Sequence, residues 1–94
     1  MSGYLIEQLD TLPGQLCPCG TTRRGFFVPE NEKASVHVVE IKEDAATHYH
    51  KLTTEIYIVL EGEGELELDG TLHPVRPMTS VMIQPGCRHR ALEN

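Results

Sequence analysis

The stretch Thr47-His48-Tyr49-His50-Lys51-Leu52-Thr53-Thr54-Glu55 decides how the rest of the chain is interpreted. Two histidines stand one residue apart, and side chains that are two residues apart on a β-strand share a face. His48 and His50 would then lie about 6–7 Å apart along the strand. This spacing allows two imidazoles to converge on one metal ion at bonds of about 2.1 Å. After a short polar connection, Glu55 begins the next apolar segment and can return a carboxylate to the same face.

A third histidine follows a turn near the end of the sequence. Pro85-Gly86 predicts the turn, and period-two counting after it places His89 on the same face of the last strand as Cys87. Imidazoles and carboxylates are common ligands of divalent transition metals. We therefore predict one metal site inside a small β-barrel, with one carboxylate and three imidazoles as ligands: His48, His50, Glu55 and His89.

Short β-prone segments separated by turns make up most of the chain from residue 35 onward. Residues 35–41 are rich in β-branched side chains, and residues 65–68 alternate acid with leucine. Residues 55–60 are apolar on both faces apart from Glu55, a pattern that predicts a strand covered on both sides. Asp69-Gly70 is the strongest short hairpin signal. About seven short strands with almost no helix predict an all-β sandwich or barrel.

The first 34 residues are less regular than the rest. We expect a single domain in which residues 1–34 form an arm and loops packed on a barrel core of residues 35–94. Four apolar residues near the start fit either one face of a short helix or an extended arm: Leu5, Ile6, Leu9 and Leu12. Arg23-Arg24 could bind a carboxylate or phosphate, although a solvated charge pair is the commoner role of such residues.

The cysteines indicate a reducing environment. Their number is odd (Cys17, Cys19 and Cys87), which suits the cytosol better than a disulfide scaffold, so we expect a cytoplasmic protein. Cys17-Pro18-Cys19 could be a thiol metal clip or a redox pair. A zinc site would need two more paired ligands at recognisable spacing, which the sequence lacks, so a loop is the simpler interpretation.

Charge and hydropathy exclude several classes of partner. The formal net charge is −6, whereas nucleic-acid binding requires a basic face. Anionic small molecules are not excluded, because a divalent cation reverses the local sign of charge. No apolar run approaches the roughly 20 residues of a membrane span. Glu7 and Asp10 also interrupt any signal-peptide core, so we expect neither a nucleic-acid nor a membrane partner.

The histidine motifs resemble those of a known superfamily. His48-x-His50-x4-Glu55-x6-Gly62 resembles the first cupin motif, and Pro85-Gly86-x2-His89 resembles the second. The resemblance covers residues 35–94 and implies a double-stranded β-helix, or jelly-roll, cupin barrel of the small single-domain type. It also implies one metal ion on the four predicted ligands and common dimerisation. The family usually has Gly-Asp where Met78-Thr79 stands and proline where Gln84 stands, departures that concern turns rather than ligands.

The ligand set defines the chemistry that is expected. Three neutral imidazoles and one carboxylate leave a divalent ion net positive, with about two open positions if it is octahedral. Manganese, iron, nickel, cobalt and zinc all suit mixed nitrogen and oxygen ligation. Open positions admit water, dioxygen or a bidentate substrate. Tyr57 shares the face of Glu55 by alternation. We predict that its hydroxyl serves catalysis as a hydrogen-bond donor, with a packed barrel tyrosine as the alternative.

Two functions fit these expectations. The first is a metal-dependent enzyme acting on a small polar molecule by isomerisation or oxygen-dependent cleavage, in line with resemblance to isomerase-like and dioxygenase-like small cupins. The second is a non-catalytic metal-binding, ligand-binding or sensor domain. A metal-free barrel with fortuitous histidines is a third, which the four-residue pattern disfavours. A polar, open-sided pocket would favour the enzyme, and a closed apolar one would favour binding. The expected partners are a small-molecule ligand or substrate and a second copy of the chain in a homodimer.

Overall fold

Strands dominate the computed structural model, which describes residues 3–17, 20–42 and 46–92. The described residues contain eight strands: β1 (Gln15–Cys17), β2 (Gly20–Gly25), β3 (Val36–Ile41), β4 (Glu55–Ile58), β5 (Gly64–Leu68), β6 (Thr71–Val75), β7 (Ser80–Ile83) and β8 (His89–Leu92). The described N-terminal residues before β1 contain one 3-10 turn, Leu9–Thr11, and no α-helix, so the apolar residues there do not form an amphipathic helix. The all-β prediction is confirmed.

The strands form three antiparallel sheets. Their orders are β1-β2-β3, β4-β7 and β6-β5-β8. Strand β2 pairs with the whole length of β3, so part of the predicted N-terminal arm is built into the same sheet as the start of the predicted core. The division into residues 1–34 and 35–94 itself stays a prediction. No helix of the described residues is long and apolar enough to cross a membrane.

The Asp69-Gly70 hairpin is confirmed. Leu68 pairs with Thr71 across a two-residue turn, and both turn residues have positive φ, 48° at Asp69 and 84° at Gly70. Positive φ at both central residues is the signature of a type I′ turn, whose twist matches that of the flanking strands. The turn therefore fixes the register of β5 against β6.

The predicted strand around the first two histidines is wrong in part. His48 makes only an isolated antiparallel bridge with His89, and residues 49–54 are not in a strand. The bridge consists of two main-chain hydrogen bonds, in which each residue's N–H donates to the other's carbonyl at 3.0 and 2.8 Å. The Gly86 N–H donates to the His50 carbonyl at 2.7 Å. Three main-chain bonds to the turn and start of β8 thus replace the expected ladder.

Few apolar side chains are buried. Among the described residues, Leu66 and Ile83 are the only buried hydrophobic side chains, at 3% and 2% exposure. The prediction that residues 55–60 are covered on both faces is wrong, because one face of β4 and the residues after it is open. Three large apolar side chains lie there at 63%, 58% and 70% exposure: Ile56, Ile58 and Leu60. Glu55 and Tyr57, on the opposite face, are half-buried.

Two further motifs lie in the N-terminal region, Arg23-Arg24 and Cys17-Pro18-Cys19, and the structure describes the second only in part. Arg23 donates to the Leu12 carbonyl, and the Arg24 guanidinium lies 4.9 Å from the centre of the Phe27 ring. Both arginines therefore make contacts within the chain, Arg24 while exposed to solvent, and binding of a carboxylate or phosphate stays a prediction. Pro18 and Cys19 lie outside the described residues, so the thiol-clip and redox interpretations of Cys17-Pro18-Cys19 stay predictions.

Met78 occupies a backbone conformation that favours glycine. Its φ is 73°, at a position where the cupin pattern has glycine, and its side chain is 80% exposed. A left-handed backbone costs a non-glycine residue about 1–2 kcal/mol. We expect Met78→Gly to raise the free energy of unfolding by about 1 kcal/mol, since little burial is lost. Urea denaturation tests this, with Met78→Ala as the control that removes the side chain but keeps Cβ. An equal gain in both variants would contradict the backbone explanation.

Candidate metal centre

The four predicted ligands come together in the structure. One potential ligand atom from each of His48, His50, Glu55 and His89 lies within 4.8 Å of all the others. Glu55 is the centre of the group, because its Oε1 lies 2.9 Å from His50 Nε2 and 3.1 Å from His89 Nε2. The ring centres of His48 and His89 are 4.2 Å apart. The structure therefore has a His/His/Glu/His group positioned to hold a metal ion.

Each candidate ligand is placed by a strand end, by the bridge or, for His50, by the hydrogen bond from the Gly86 N–H. His89 is the first residue of β8, where it pairs with Leu68 on one side and bridges His48 on the other. Glu55 is the first residue of β4 and pairs with Ile83, one of the two buried hydrophobic residues. Strand ends allow a polar side chain to reach outward while its neighbours anchor the backbone in the sheet. The four ligands are thus drawn from three separate stretches of chain.

Main-chain carbonyls orient two of the imidazoles. His89 Nδ1 lies 2.9 Å from the Cys87 carbonyl, and His48 Nδ1 lies 3.2 Å from the Ala46 carbonyl. A carbonyl oxygen only accepts, so in each ring Nδ1 carries the proton and donates it. In the neutral rings, Nε2 then presents a lone pair. Metal-binding histidines usually donate a hydrogen bond from the ring nitrogen that faces away from the metal. That bond determines which nitrogen is free to bind the ion.

Two buried polar atoms at the centre of the group have no hydrogen-bond partner. Glu55 Oε1 and His89 Nε2 are buried, and neither makes a hydrogen bond, although they lie only 3.1 Å apart. With the His89 proton held at Nδ1, both atoms are acceptors, and two lone pairs at that distance repel. Leaving a buried polar atom without a partner is costly. A cation between them satisfies both, so the donor set fits a divalent metal.

The separations within the group also suit a metal. Ligands at about 2.1 Å from an ion stand about 3.0 Å apart when they are adjacent on an octahedron and about 4.2 Å apart when they are opposite. The two contacts of Glu55, 2.9 and 3.1 Å, match the adjacent spacing. The outer limit of 4.8 Å is a little longer than the opposite spacing. His48 and His50 are exposed, so small rotations of their side chains can close that difference.

Burial falls steeply across the group. The side chain of His89 is 0% exposed, that of Glu55 is 28% exposed and that of His50 is 43% exposed. His48 is also exposed. The group therefore has a closed side formed by His89 and an open side toward solvent. A purely structural site is closed by its ligands, whereas an open side leaves room for an exchangeable ligand.

Tyr57 lies beside the buried ligand. Its ring centre is 6.0 Å from that of His89, and the two rings are nearly perpendicular at 86°. Alternation along β4 places it on the same face as Glu55, as the sequence predicted. The ring thus borders the closed side of the group. Its predicted catalytic role stays a prediction.

Cys87 is close to the site, but its thiol is poorly suited to chemistry. Partial burial raises the pKa of the Cys87 thiol, and the Asp69 carboxylate raises that pKa further. A raised pKa keeps the thiol protonated at neutral pH, and the protonated form is a poor ligand and nucleophile. Cys87 instead contributes its carbonyl, which orients His89.

Asp69 is a supporting residue that sequence reasoning did not single out for the site. Its Oδ1 accepts a hydrogen bond from the Arg88 N–H at 2.9 Å, and its own N–H donates to the Arg88 carbonyl at 2.8 Å. These bonds tie the hairpin turn to the residue just before His89. The Asp-Gly hairpin signal was visible in the sequence, but the distant main-chain partner of its carboxylate was not.

We expect Asp69→Ala to lower the free energy of unfolding by about 1–2 kcal/mol, since it removes the bond to Arg88 and places alanine at positive φ. Urea denaturation is the measurement. Asp69→Asn is the matched control, because asparagine keeps an acceptor oxygen and tolerates this conformation. An alanine variant as stable as the wild type would show that the carboxylate does not anchor the turn.

Comparison with known proteins agrees with the geometry. The family model described as "Cupin domain" matches residues 25–94, which include all four residues of the group. The chain belongs to the cupin family. The jelly-roll cupin fold predicted from the motifs is thereby confirmed, and the family match begins at Gly25, the end of β2.

A solved structure supports the same assignment. This cupin is similar to a protein from Planctomyces limnophilus known from a crystal structure, with a TM-score of 0.88 and 32% sequence identity. The similarity covers 97% of this chain and 81% of that protein's chain. No curated protein matches the sequence at a significant level. Family and fold are therefore established by comparison.

Proposed function

We propose that this cupin is a metal-dependent enzyme that acts on a small polar molecule, by isomerisation or by oxygen-dependent cleavage. The observation that carries the proposal is the open side of the His/His/Glu/His group. His89 is fully buried, while His48 and His50 face solvent. A site with this asymmetry holds an ion firmly from one side and leaves the other side to a substrate.

The residues of the group have separable roles in this proposal. His48, His50, Glu55 and His89 would hold one divalent ion of manganese, iron, nickel, cobalt or zinc. The bound ion would supply Lewis acidity toward a carbonyl or enediol oxygen or, as iron, the capacity to react with dioxygen. The single carboxylate leaves the occupied site net positive, which favours substrates with anionic or electron-rich oxygens.

Other side chains and carbonyls orient the site. The Cys87 and Ala46 carbonyls keep the protons of His89 and His48 on Nδ1, so that neither imidazole presents an N–H to the inner space. Tyr57 borders His89, and in this proposal its hydroxyl donates a hydrogen bond to a substrate oxygen. This hydrogen bond would orient the substrate, which the four metal ligands alone would not do.

The proposal is tested by metal analysis followed by activity screens. Purified protein would be loaded separately with each candidate ion, and its metal content measured by mass spectrometry. Each form would then be screened for oxygen uptake and for isomerisation on small diols, sugars and hydroxy acids. Turnover that needs one particular ion and is lost in Tyr57→Phe would support an enzyme. No binding of any ion would overturn the proposal.

A non-catalytic binding or sensor domain is the second candidate. The observation that favours it is the absence, from the described residues of the cluster, of any fifth histidine or carboxylate that could serve as a dedicated base. Saturable binding of small oxygen-rich molecules to the metal-loaded protein without turnover would select this function. Isothermal titration calorimetry of the molecules used in the screen measures such binding directly.

A further inference from the structure

The main-chain bridge between His48 and His89 has a second pair of side chains beside it. Tyr49 follows His48 in the sequence and Arg88 precedes His89, so alternation along an extended chain places both on the side opposite the two imidazoles. The Arg88 Cζ lies 5.2 Å from the centre of the Tyr49 ring. This distance is within the range of a cation–π contact. The bridge thus carries candidate ligands on one side and a cation–π pair on the other.

The segment that carries His48 and His50 is held by few main-chain bonds. Residues 49–54 are not in a strand, and His48 forms only an isolated bridge. Besides the two bonds of that bridge, the Gly86 N–H donates to the His50 carbonyl. His89, by contrast, also pairs with Leu68 in the β5–β8 ladder. Segments with few main-chain bonds open locally without unfolding the rest of a protein. The bridge is therefore a place where a side-chain contact can decide whether the centre stays assembled.

Arg88 is itself anchored to the β5–β6 hairpin. Its N–H donates to Asp69 Oδ1 at 2.9 Å, and its carbonyl accepts from the Asp69 N–H at 2.8 Å. The register of that hairpin is set by its two-residue turn. The guanidinium group extends this anchoring to the Tyr49 ring, which lies in the sequence between His48 and His50. The contact therefore ties the weakly paired segment to one of the sheets.

We propose that Tyr49 and Arg88 are positioning residues, whose cation–π contact holds the His48–His89 bridge closed and so keeps the two imidazoles beside each other. If the bridge opens, His48 leaves the group, so the apparent affinity for an ion depends on the fraction of molecules in which the bridge is closed. An exposed contact of this kind changes such an equilibrium by about 2–5-fold. The effect on the ion rests on the metal binding of the proposed function, whereas the effect on the bridge does not.

Amide hydrogen exchange of the metal-free protein tests the contact directly. We expect Tyr49→Leu to speed exchange at the His48 and His89 amides by about 2–5-fold, because these two N–H groups form the bridge. Amides of β5 and β6 are the internal reference, since these strands pair with each other. Tyr49→Phe keeps an aromatic ring and is expected to exchange like the wild type. Unchanged exchange at both histidines in Tyr49→Leu would overturn the proposal.

Competition titration with zinc tests whether the bridge serves the ion. We expect Tyr49→Leu and Arg88→Gln each to weaken zinc binding by about 2–5-fold, and the double variant to lose no more than either alone, because both residues act through one contact. The sign for Arg88→Gln is informative, since removing a positive charge near a cation would by itself tighten binding. Wild-type affinity in Tyr49→Leu, or additive losses in the double variant, would overturn the positioning role.

Arg24→Gln is the matched control. The Arg24 guanidinium lies 4.9 Å from the centre of the Phe27 ring, so this variant removes a contact of the same kind from β2, in a different sheet. We expect it to leave zinc affinity and bridge exchange unchanged, and Arg88→Lys, which retains a cation, to stay near the wild type. Equal effects of Arg24→Gln and Arg88→Gln would overturn the proposal. A wild type that binds no ion would refute the proposed function, while exchange at the bridge amides would still decide whether the contact holds the bridge.

Discussion

We expect His50→Ala to weaken metal binding by about 100-fold or more, because it removes one of the four candidate ligands. Changing a residue that merely supports a ligand typically costs 10–100-fold in affinity, so the loss of a ligand costs at least that. His50 is chosen because its side chain is 43% exposed, so its removal leaves no cavity in the core. Competition titration with a chromophoric chelator measures the change for zinc and for cobalt.

His73→Ala is the matched control for this experiment. His73 is also exposed, but it lies on β6 opposite Leu66 and is not among the residues of the cluster. We expect its substitution to leave metal affinity unchanged within about twofold, because it removes a histidine without removing a ligand. Equal losses in the two variants would exclude His50 from the metal centre and would show binding by scattered surface histidines.

Removing the metal lowers the thermal midpoint of unfolding by about 15–30 °C. An ion present at 1,000 times its dissociation constant stabilises the folded state by about 4 kcal/mol, and each kcal/mol shifts the midpoint of a domain of this size by about 4–8 °C. The physical reason is that Glu55 Oε1 and His89 Nε2 are buried without hydrogen-bond partners. Calorimetry of metal-loaded and chelator-treated protein gives the difference at equal protein concentration.

Two comparisons show whether this shift arises at the centre. Adding metal to His50→Ala is expected to restore little of the midpoint, whereas adding it to His73→Ala restores all of it. Magnesium, which prefers oxygen ligands, is expected to give no shift in the wild type. A chelator-treated protein that melts at the same temperature as the loaded one would show that the group contributes nothing to folding free energy.

The ligands of the centre could be predicted because their spacing in the sequence is local. His48 and His50 are close in sequence, and Glu55 begins β4 a few residues later, so one short stretch of chain carries three of the four candidate ligands. His89 is distant in sequence, but it directly follows a turn signal at Pro85-Gly86. Period-two alternation also placed Tyr57 correctly beside the group. Short-range sequence patterns were thus sufficient to predict most residues of the candidate site.

What the sequence did not reveal depends on partners far along the chain. The His48 segment has the sequence pattern of a strand, but its pairing is limited to a bridge with His89, which depends on where β8 begins. The Asp69 carboxylate accepts a hydrogen bond from the Arg88 N–H, and no local sequence pattern predicts that bond. Apart from Glu55, residues 55–60 are apolar on both faces, which predicted burial on both sides, but one of the two faces is exposed. The hydrophobicity of a side chain in the sequence does not show whether the folded chain covers it.

Strand β4 carries unlike side chains on its two faces. Glu55 on one face belongs to the candidate metal centre, whereas Ile56 and Ile58 on the other face are 63% and 58% exposed. A cation held by Glu55 would restrict the motion of this four-residue segment as a whole, so the conformational entropy of the exposed face would fall together with that of the metal-binding face.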